Sequence, residues 1–484
     1  MKFWFVAGSQ HLYGSDVLNT VAERAAKMVG GLSSSAPFEI IYKATVKTPD
    51  EITALVKEAN YDDTCAGLVV WCHTFSPSKM WINGLVALQK PYLHLHTQYN
   101  RNIPADDIDM NFMNLNQAAH GDREHGFIGA RLRLTRKIVV GYWEDAHVQE
   151  KIGAWQRSAI GFTISKNLKV IRFGDNMRQV AVTEGDKVEA QIKFGWQVNT
   201  WGVGDLVAAM NAVTDAEINA LTDEYNSKYT FATEDTEAVK YQARAEIAML
   251  KILEREGAGA FTNTFEDLHG MKQLPGLASQ RLMERGYGYG GEGDWKVSAL
   301  THVIKTMTAD MPDGTSFMED YTYDLEAGNE LVLGAHMLEV CPTIAAAKPR
   351  IEVCPLGIGG KEPPARLIFE GKAGRAVVAS LVDLGGRMRL IVQDVECVKP
   401  IYEMPKLPVA RVMWKPLPDL LTSAHAWILA GGAHHTVLSY GATAEMLEDW
   451  ANMTDIEFVH INADTTINEF KKDLFTADLA WRLK

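Results

Sequence analysis

Gly67-Leu68-Val69-Val70-Trp71-Cys72 is a continuous apolar run of strand length. A strand that is apolar at every position is buried on both faces, the environment of a parallel sheet covered by helices on each side. The surrounding sequence repeats the unit. Residues 3–7 read as a strand, 16–29 as an amphipathic helix, 38–42 as a strand, 77–88 as a helix and 92–96 as another strand. Pro49-Asp50-Glu51 opens a further helix, with Pro in the first turn and carboxylates near the positive end of the helix dipole. Strands alternating with helices imply an α/β parallel sheet. Ligands of such sheets sit beyond the carboxyl ends of the strands. Gln10-His11, His73-Thr74-Phe75 and His96-Thr97-Gln98 all fall there, which puts a polar pocket at that edge. For His73 and His96 the alternative is a loop histidine bonded only to backbone.

A second α/β unit opens near Leu168. Residues 169–174 form a strand running into a Gly-Asp-Asn turn, and helical stretches follow at 205–212, 215–225 and 236–256. The glycine-rich stretch 286–291 lacks the Gly-Lys-Ser/Thr ending of a phosphate loop and the spacing of a dinucleotide fingerprint, so no nucleotide cofactor is expected. Its glycines suit close backbone approach where Glu292 enters a site. From about Asp313 the character changes. Residues 321–325, 330–334, 376–381 and 389–392 read as strands parted by Gly and Asp turns, and 405–416 as a proline-punctuated connection. Residues 428–430 read as a short buried strand with Gly431-Gly432 as the turn at its end. The last third is therefore expected to be β-rich and barrel-like. The expected domains are 1–167 (α/β), 168–312 (α/β) and 313–484 (β-rich).

The length of 484 residues exceeds what one core supports and suggests about three domains. A formal charge of −13 argues against a nucleic-acid partner, because phosphate binding needs a basic surface. The apolar start reaches Gln10 and His11 too soon for a signal-peptide core, and no apolar run approaches the roughly 20 residues of a membrane span. A cytoplasmic protein without membrane association is expected. Cys65, Cys72, Cys341, Cys354 and Cys397 are odd in number and sparse, as buried free thiols of a reducing compartment would be.

Four segments carry the chemistry. They are Gly291-Glu292-Gly293-Asp294-Trp295-Lys296, Thr315-Ser316-Phe317-Met318-Glu319-Asp320, Gly334-Ala335-His336-Met337-Leu338-Glu339 and Gly431-Gly432-Ala433-His434-His435-Thr436. Two carboxylates and two neutral imidazoles suit a divalent metal with positions left for substrate. The carboxylates can also move protons. Taken singly, each residue has an ordinary reading. Glu292 is then a turn residue, Glu319 a solvated carboxylate and His336 a hydrogen-bonded core histidine. The combination, in this order, points to a site.

With Gly8-Ser9-Gln10-His11-Leu12-Tyr13-Gly14, Asn114-Leu115-Asn116-Gln117-Ala118-Ala119-His120-Gly121, Phe173-Gly174-Asp175-Asn176-Met177-Arg178 and Phe265-Glu266-Asp267-Leu268-His269-Gly270, these segments resemble the L-arabinose isomerases. The match runs to about Thr436, and the last dozen or so residues resemble the family least. The resemblance implies two flavodoxin-like parallel-sheet domains followed by the β-rich barrel-like domain. It implies conversion of L-arabinose to L-ribulose, and of D-galactose to D-tagatose, through an enediol. Its implied metal ligands are Glu292, Glu319, His336 and His435, with the two glutamates also the catalytic acid and base. Gln10, Gln117, His120, Met177, Phe265 and His434 match positions that line the substrate pocket. The implied assembly is a trimer-based homo-oligomer, expected as a hexamer. Mixed oxygen and nitrogen ligands favour one Mn2+ per subunit, with Co2+ able to substitute. Two other functions stay open on the residues alone: a sugar-binding module of two α/β lobes, and a metal-dependent aldolase or hydrolase.

Overall fold

Five strands, β1 (Lys2–Gly8), β2 (Ile40–Val46), β3 (Cys65–Cys72), β4 (Tyr92–His96) and β5 (Lys137–Val140), form an all-parallel sheet in the order β2-β1-β3-β4-β5. This is the flavodoxin-like order, with its topological switch point between β1 and β3. The computed structural model describes residues 1–483, and this sheet belongs to the first of two compact units, which spans Met1–Thr163. All eight residues of β3 are buried, as its unbroken apolar sequence requires. The helix Pro49–Tyr61 starts as expected, with Thr48 accepting from the Glu51 amide. The helix expected over 77–88 is instead a 3-10 turn at Ser78–Trp81 followed by a short α-helix, Ile82–Ala87. The tight turn brings the Trp81 indole back to donate to the Ser76 hydroxyl at 3.0 Å.

The second unit begins at Ile164. Its strands are β6 (Lys169–Phe173), β7 (Gln197–Trp201), β8 (Thr230–Phe231), β9 (Ala260–Asn263), β10 (Gly288–Gly290), β11 (Thr315–Asp324), β12 (Leu331–Ala335), β13 (Arg350–Val353), β14 (Ala365–Ile368), β15 (Gly374–Asp383), β16 (Met388–Val398), β17 (Arg411–Pro416), β18 (His435–Ser439) and β19 (Glu457–Ile461). Strands β10-β9-β6-β7 make a second parallel sheet. Strands β15-β18-β11-β12-β17-β16 pair antiparallel, and β15 pairs back to β16, so this sheet closes into a six-stranded barrel. Strand β19 adds to β16 in parallel. A small sheet joins β14, β13 and β8.

Three expectations change here. The strand read at 321–325 starts six residues earlier, at Thr315. Its polar opening is buried and satisfied by hydrogen bonds. Thr315 Oγ1 lies 2.8 Å from Ser439 Oγ, and Ser316 Oγ accepts from the Cys341 amide at 2.8 Å. The connection read at 405–416 contains β17, which pairs with both β12 and β16. Residues 428–430 are not a strand. They end the helix Leu420–Ala430, which Asp419 caps by accepting from the Thr422 amide and which Gly431 terminates at φ 79°. Ile428 is 76% exposed, so this apolar run does not mark a buried strand. His434 and His435 therefore lead into β18 rather than follow a strand.

Candidate active site

Barrel register brings the first group together. In β11, Glu319 lies directly opposite His435 of β18 on one side and Ala335 of β12 on the other. Directly opposed residues in antiparallel strands project to the same face. His336 lies one residue past the end of β12, where strand alternation no longer fixes its direction, and it shares the wall of one cavity with Glu319. Phe317, two residues before Glu319, packs edge-on against both rings. Its centroid is 4.9 Å from His336 and 5.2 Å from His435, each at 69°, and the two imidazoles are 6.0 Å apart.

Glu292 arrives from the parallel sheet, two residues after β10. Its φ of 58° is left-handed, a conformation that costs an L-residue with a Cβ roughly 1–2 kcal/mol. Two glycines make the approach possible. A Cβ on Gly291 would come within 3.0 Å of His336 Nε2, and one on Gly293 within 2.5 Å of Asn176 Cα. Asp294 then caps the helix Trp295–Met307 by accepting from the Lys296 and Val297 amides.

The Glu292 carboxylate lies 3.6 Å from His434 Nε2 and 3.8 Å from His435 Nε2. One ligand atom from each of these three residues fits within a mutual distance of 4.8 Å. His435 is fully buried, and its Nε2 has no hydrogen-bond partner. Its other nitrogen, Nδ1, is 3.3 Å from Asp294 Oδ2. His336 is arranged in the same way, with Nδ1 2.6 Å from Glu339 Oε2. A carboxylate on Nδ1 holds the imidazole in the tautomer that leaves the Nε2 lone pair free for a cation. The donor set therefore fits a divalent metal. A buried nitrogen lone pair with no partner is otherwise a cost.

The electrostatics are consistent with a charged site. The adjacent His434 ring, helped by His435 and His336, holds the Glu292 carboxyl below its usual range, and Glu292 in turn raises His434. Burial acts against a charge on His336, but Glu339, Glu319 and Glu292 outweigh it and raise its pKa. Burial, with the Glu319 charge, pushes Asp320 up to about 7.

A cavity of about 220 Å³ opens beside this cluster, with Glu292, Glu319, His336 and Phe265 in its wall together with Asn263, Tyr289, Glu339 and an apolar set that includes Leu338 and Ile358. Met177 adjoins through its amide, which donates to the Glu292 carbonyl at 2.9 Å. Gln10, Gln117 and His120 lie in the first unit and are close to each other there. Gln10 Nε2 donates to the Phe75 carbonyl, His120 stacks on Phe75 at 4.7 Å, and the Tyr13 hydroxyl reaches Gln117 Oε1 at 3.5 Å. Sequence reasoning gave no role to Asp294, Glu339 or Phe317. Their signal was spacing: two residues after Glu292, three after His336 and two before Glu319.

Such a site, with charged groups converging on a small cavity between parallel sheet and barrel, belongs to an enzyme. Family models agree on which one. The L-arabinose isomerase N-terminal domain matches residues 1–167, the central domain residues 169–310 and the C-terminal domain residues 314–457. The L-arabinose isomerase of Geobacillus stearothermophilus is 58% identical over 99% of this chain and 98% of its own length. That of Thermotoga petrophila is 56% identical over 100% of this chain and 98% of its own. The chain belongs to the L-arabinose isomerase family. No helix among the described residues is long and apolar enough to cross a membrane.

Proposed function

We propose that this chain is a manganese-dependent aldose–ketose isomerase that converts L-arabinose to L-ribulose, and D-galactose to D-tagatose, through an enediol. The observation that supports this most is the buried, partnerless Nε2 of His435 facing the Glu292 carboxylate, with Glu319 opposite it on the next strand. Glu292, Glu319, His336 and His435 would hold one Mn2+ per subunit, with Co2+ able to substitute. An ion held by these residues would supply stabilisation of the negative charge that develops on the sugar oxygens. The protein does the proton work. One glutamate, on one face of C1–C2, takes the proton from one carbon and returns it to the other. The second moves a proton between the two oxygens. His434, partly exposed and 3.6 Å from the Glu292 carboxylate, would meet a substrate hydroxyl, and Met177 and Phe265 would line the same pocket. The cavity is smaller than the roughly 300–1,000 Å³ typical of drug-sized ligands, which suits a monosaccharide.

The test is a ketose assay on L-arabinose in D2O, with metal content measured on the same sample. One Mn2+ per subunit, loss of activity on chelation and solvent deuterium at C1 of the L-ribulose are expected. Solvent deuterium at C1 excludes a pure hydride shift; product free of deuterium even after prolonged turnover leaves the hydride shift and a base that returns its proton before exchange, which the turnover of Glu319→Gln and Glu292→Gln then separates.

The same proposal includes a cytoplasmic, trimer-based homo-oligomer, three domains at 1–167, 168–312 and 313–484, and a substrate site completed by a neighbouring subunit through His120, with Gln10 and Gln117 contributing to the sugar pocket. The cluster of Gln10, Tyr13, Phe75, Gln117 and His120 supports this, since it is polar and far in sequence from the metal residues. Mixing inactive His120→Ala subunits with inactive Glu319→Gln subunits should restore part of the activity, because some contacts then pair an intact His120 with an intact Glu319. Mixed oligomers, confirmed by mass, that stay inactive would remove the shared site.

A further inference from the structure

Glu292 can serve the cluster only if its left-handed backbone is held, and the structure pins both peptide planes on its carboxyl side. On the first plane, the Glu292 carbonyl accepts from the Met177 amide at 2.9 Å, and the Gly293 amide donates to the Asn263 carbonyl at 3.0 Å. On the second, the Gly293 carbonyl accepts from Asn176 Nδ2 at 3.2 Å and from the Trp295 amide at 2.8 Å, and the Asp294 amide donates to the Gly291 carbonyl at 2.8 Å. Two of these five bonds, and the only ones from outside the Glu292 segment and β9, come from one loop, residues 174–177, which also fills the space a side chain at Gly293 would need.

That loop is itself anchored. Arg172, buried in β6, donates to Asn176 Oδ1 at 2.7 Å. This contact settles which way the amide of Asn176 points. Its oxygen faces the guanidinium, so its Nδ2 must face the carbonyls of Thr183, at 2.6 Å, and Gly293. Thr183, the other carbonyl that Asn176 meets, is held in turn by Lys296, a fully buried lysine whose Nζ donates to the carbonyls of Val182, Thr183 and Glu184 at 3.0, 3.1 and 2.6 Å. An aspartate in place of Asn176 would keep the arginine contact and present an acceptor to both carbonyls.

We propose that Asn176, oriented by Arg172 and backed by Lys296, is a positioning residue: it holds the left-handed backbone of Glu292 and so aims that carboxylate at His434 and His435. This rests on the reading of Glu292 as a metal ligand. Asn176 touches none of the reacting groups in this arrangement. It acts through the peptide that follows Glu292.

Two readouts on metal-stripped protein test it. Amide hydrogen exchange across residues 291–294 should speed up in Asn176→Ala with the melting transition still cooperative. Titration with Mn2+ alone should show affinity about 10- to 100-fold weaker, the range for supporting residues around a metal. Because Asn176 acts through Glu292, the double variant Asn176→Ala/Glu292→Gln should bind Mn2+ no more weakly than Glu292→Gln. Unchanged exchange at 291–294, or losses that add in the double variant, would overturn the proposal. If Glu292→Gln keeps wild-type Mn2+ affinity while Asn176→Ala still loosens 291–294, the metal reading of Glu292 fails and the hold on its backbone stands. Should Asn176→Ala fail to fold, Asn176→Asp serves in its place, with the same outcomes.

Discussion

Glu319→Gln is expected to cut turnover by about 10²- to 10⁴-fold, the range for one positioned acid–base group, while the barrel stays folded. Glu319 sits mid-strand, and its backbone pairing with Ala335 and His435 does not depend on the carboxylate. Glutamine has nearly the same shape, so the ladder persists. What disappears is a group able to take and return a proton, and a charged oxygen for the cation. Glu292→Gln should be as damaging for one more reason: its anionic oxygen is the partner that His434 meets. Initial rates on L-arabinose, metal content by emission spectroscopy and far-UV circular dichroism check this together. A Glu319→Gln enzyme with most of its turnover and unchanged metal content would sink the assignment.

The two adjacent histidines should separate cleanly. His435 is buried, with Nδ1 turned to Asp294 and a free Nε2. Its neighbour His434 is partly exposed, with a side-chain accessibility of 38%. His435→Ala is therefore expected to lose bound metal, and activity with it. It also leaves the buried Asp294 without its imidazole, so a lower melting temperature should accompany the loss. His434→Ala should keep the metal and instead raise KM or lower kcat on L-arabinose. The compact group around Glu292 contains both rings, which is what makes the experiment decisive. Metal loss on His434→Ala with retention on His435→Ala would exchange the two roles.

The classes of the elements were legible because burial leaves a mark on composition. Strand β3 is apolar at nearly every position because helices cover both its faces, and the run 67–72 shows it. The helix Thr236–Glu256 matched its expected span, because its buried positions recur at helical spacing. The misreadings share one cause, which is local ambiguity. A three-residue apolar run such as Ile428-Leu429-Ala430 fits a strand or the last turn of a helix. Only the Asp419 cap, nine residues upstream, and Gly431 decide for helix. The opening of β11 was missed for the opposite reason: Thr315 and Ser316 are polar, and their burial depends on partners more than twenty residues away in sequence.

The sequence by itself determined which residue types were available and the order of the elements: glycines around Glu292, carboxylates and imidazoles in four segments, and a switch from α/β to β-rich character near residue 313. Those are properties of local composition and periodicity, which short-range sterics and burial write directly into the chain. Only the tertiary structure decided which groups meet. Barrel register sets Glu319 against His435, and a one-residue slip would turn its side chain to the other face. The choice of Asp294 as partner of the His435 imidazole, the contact of Phe317 with both rings and the hold of Asn176 on Glu292 likewise depend on packing between segments up to about 140 residues apart. Contacts at that range are fixed by the closed fold as a whole, and no local pattern encodes them.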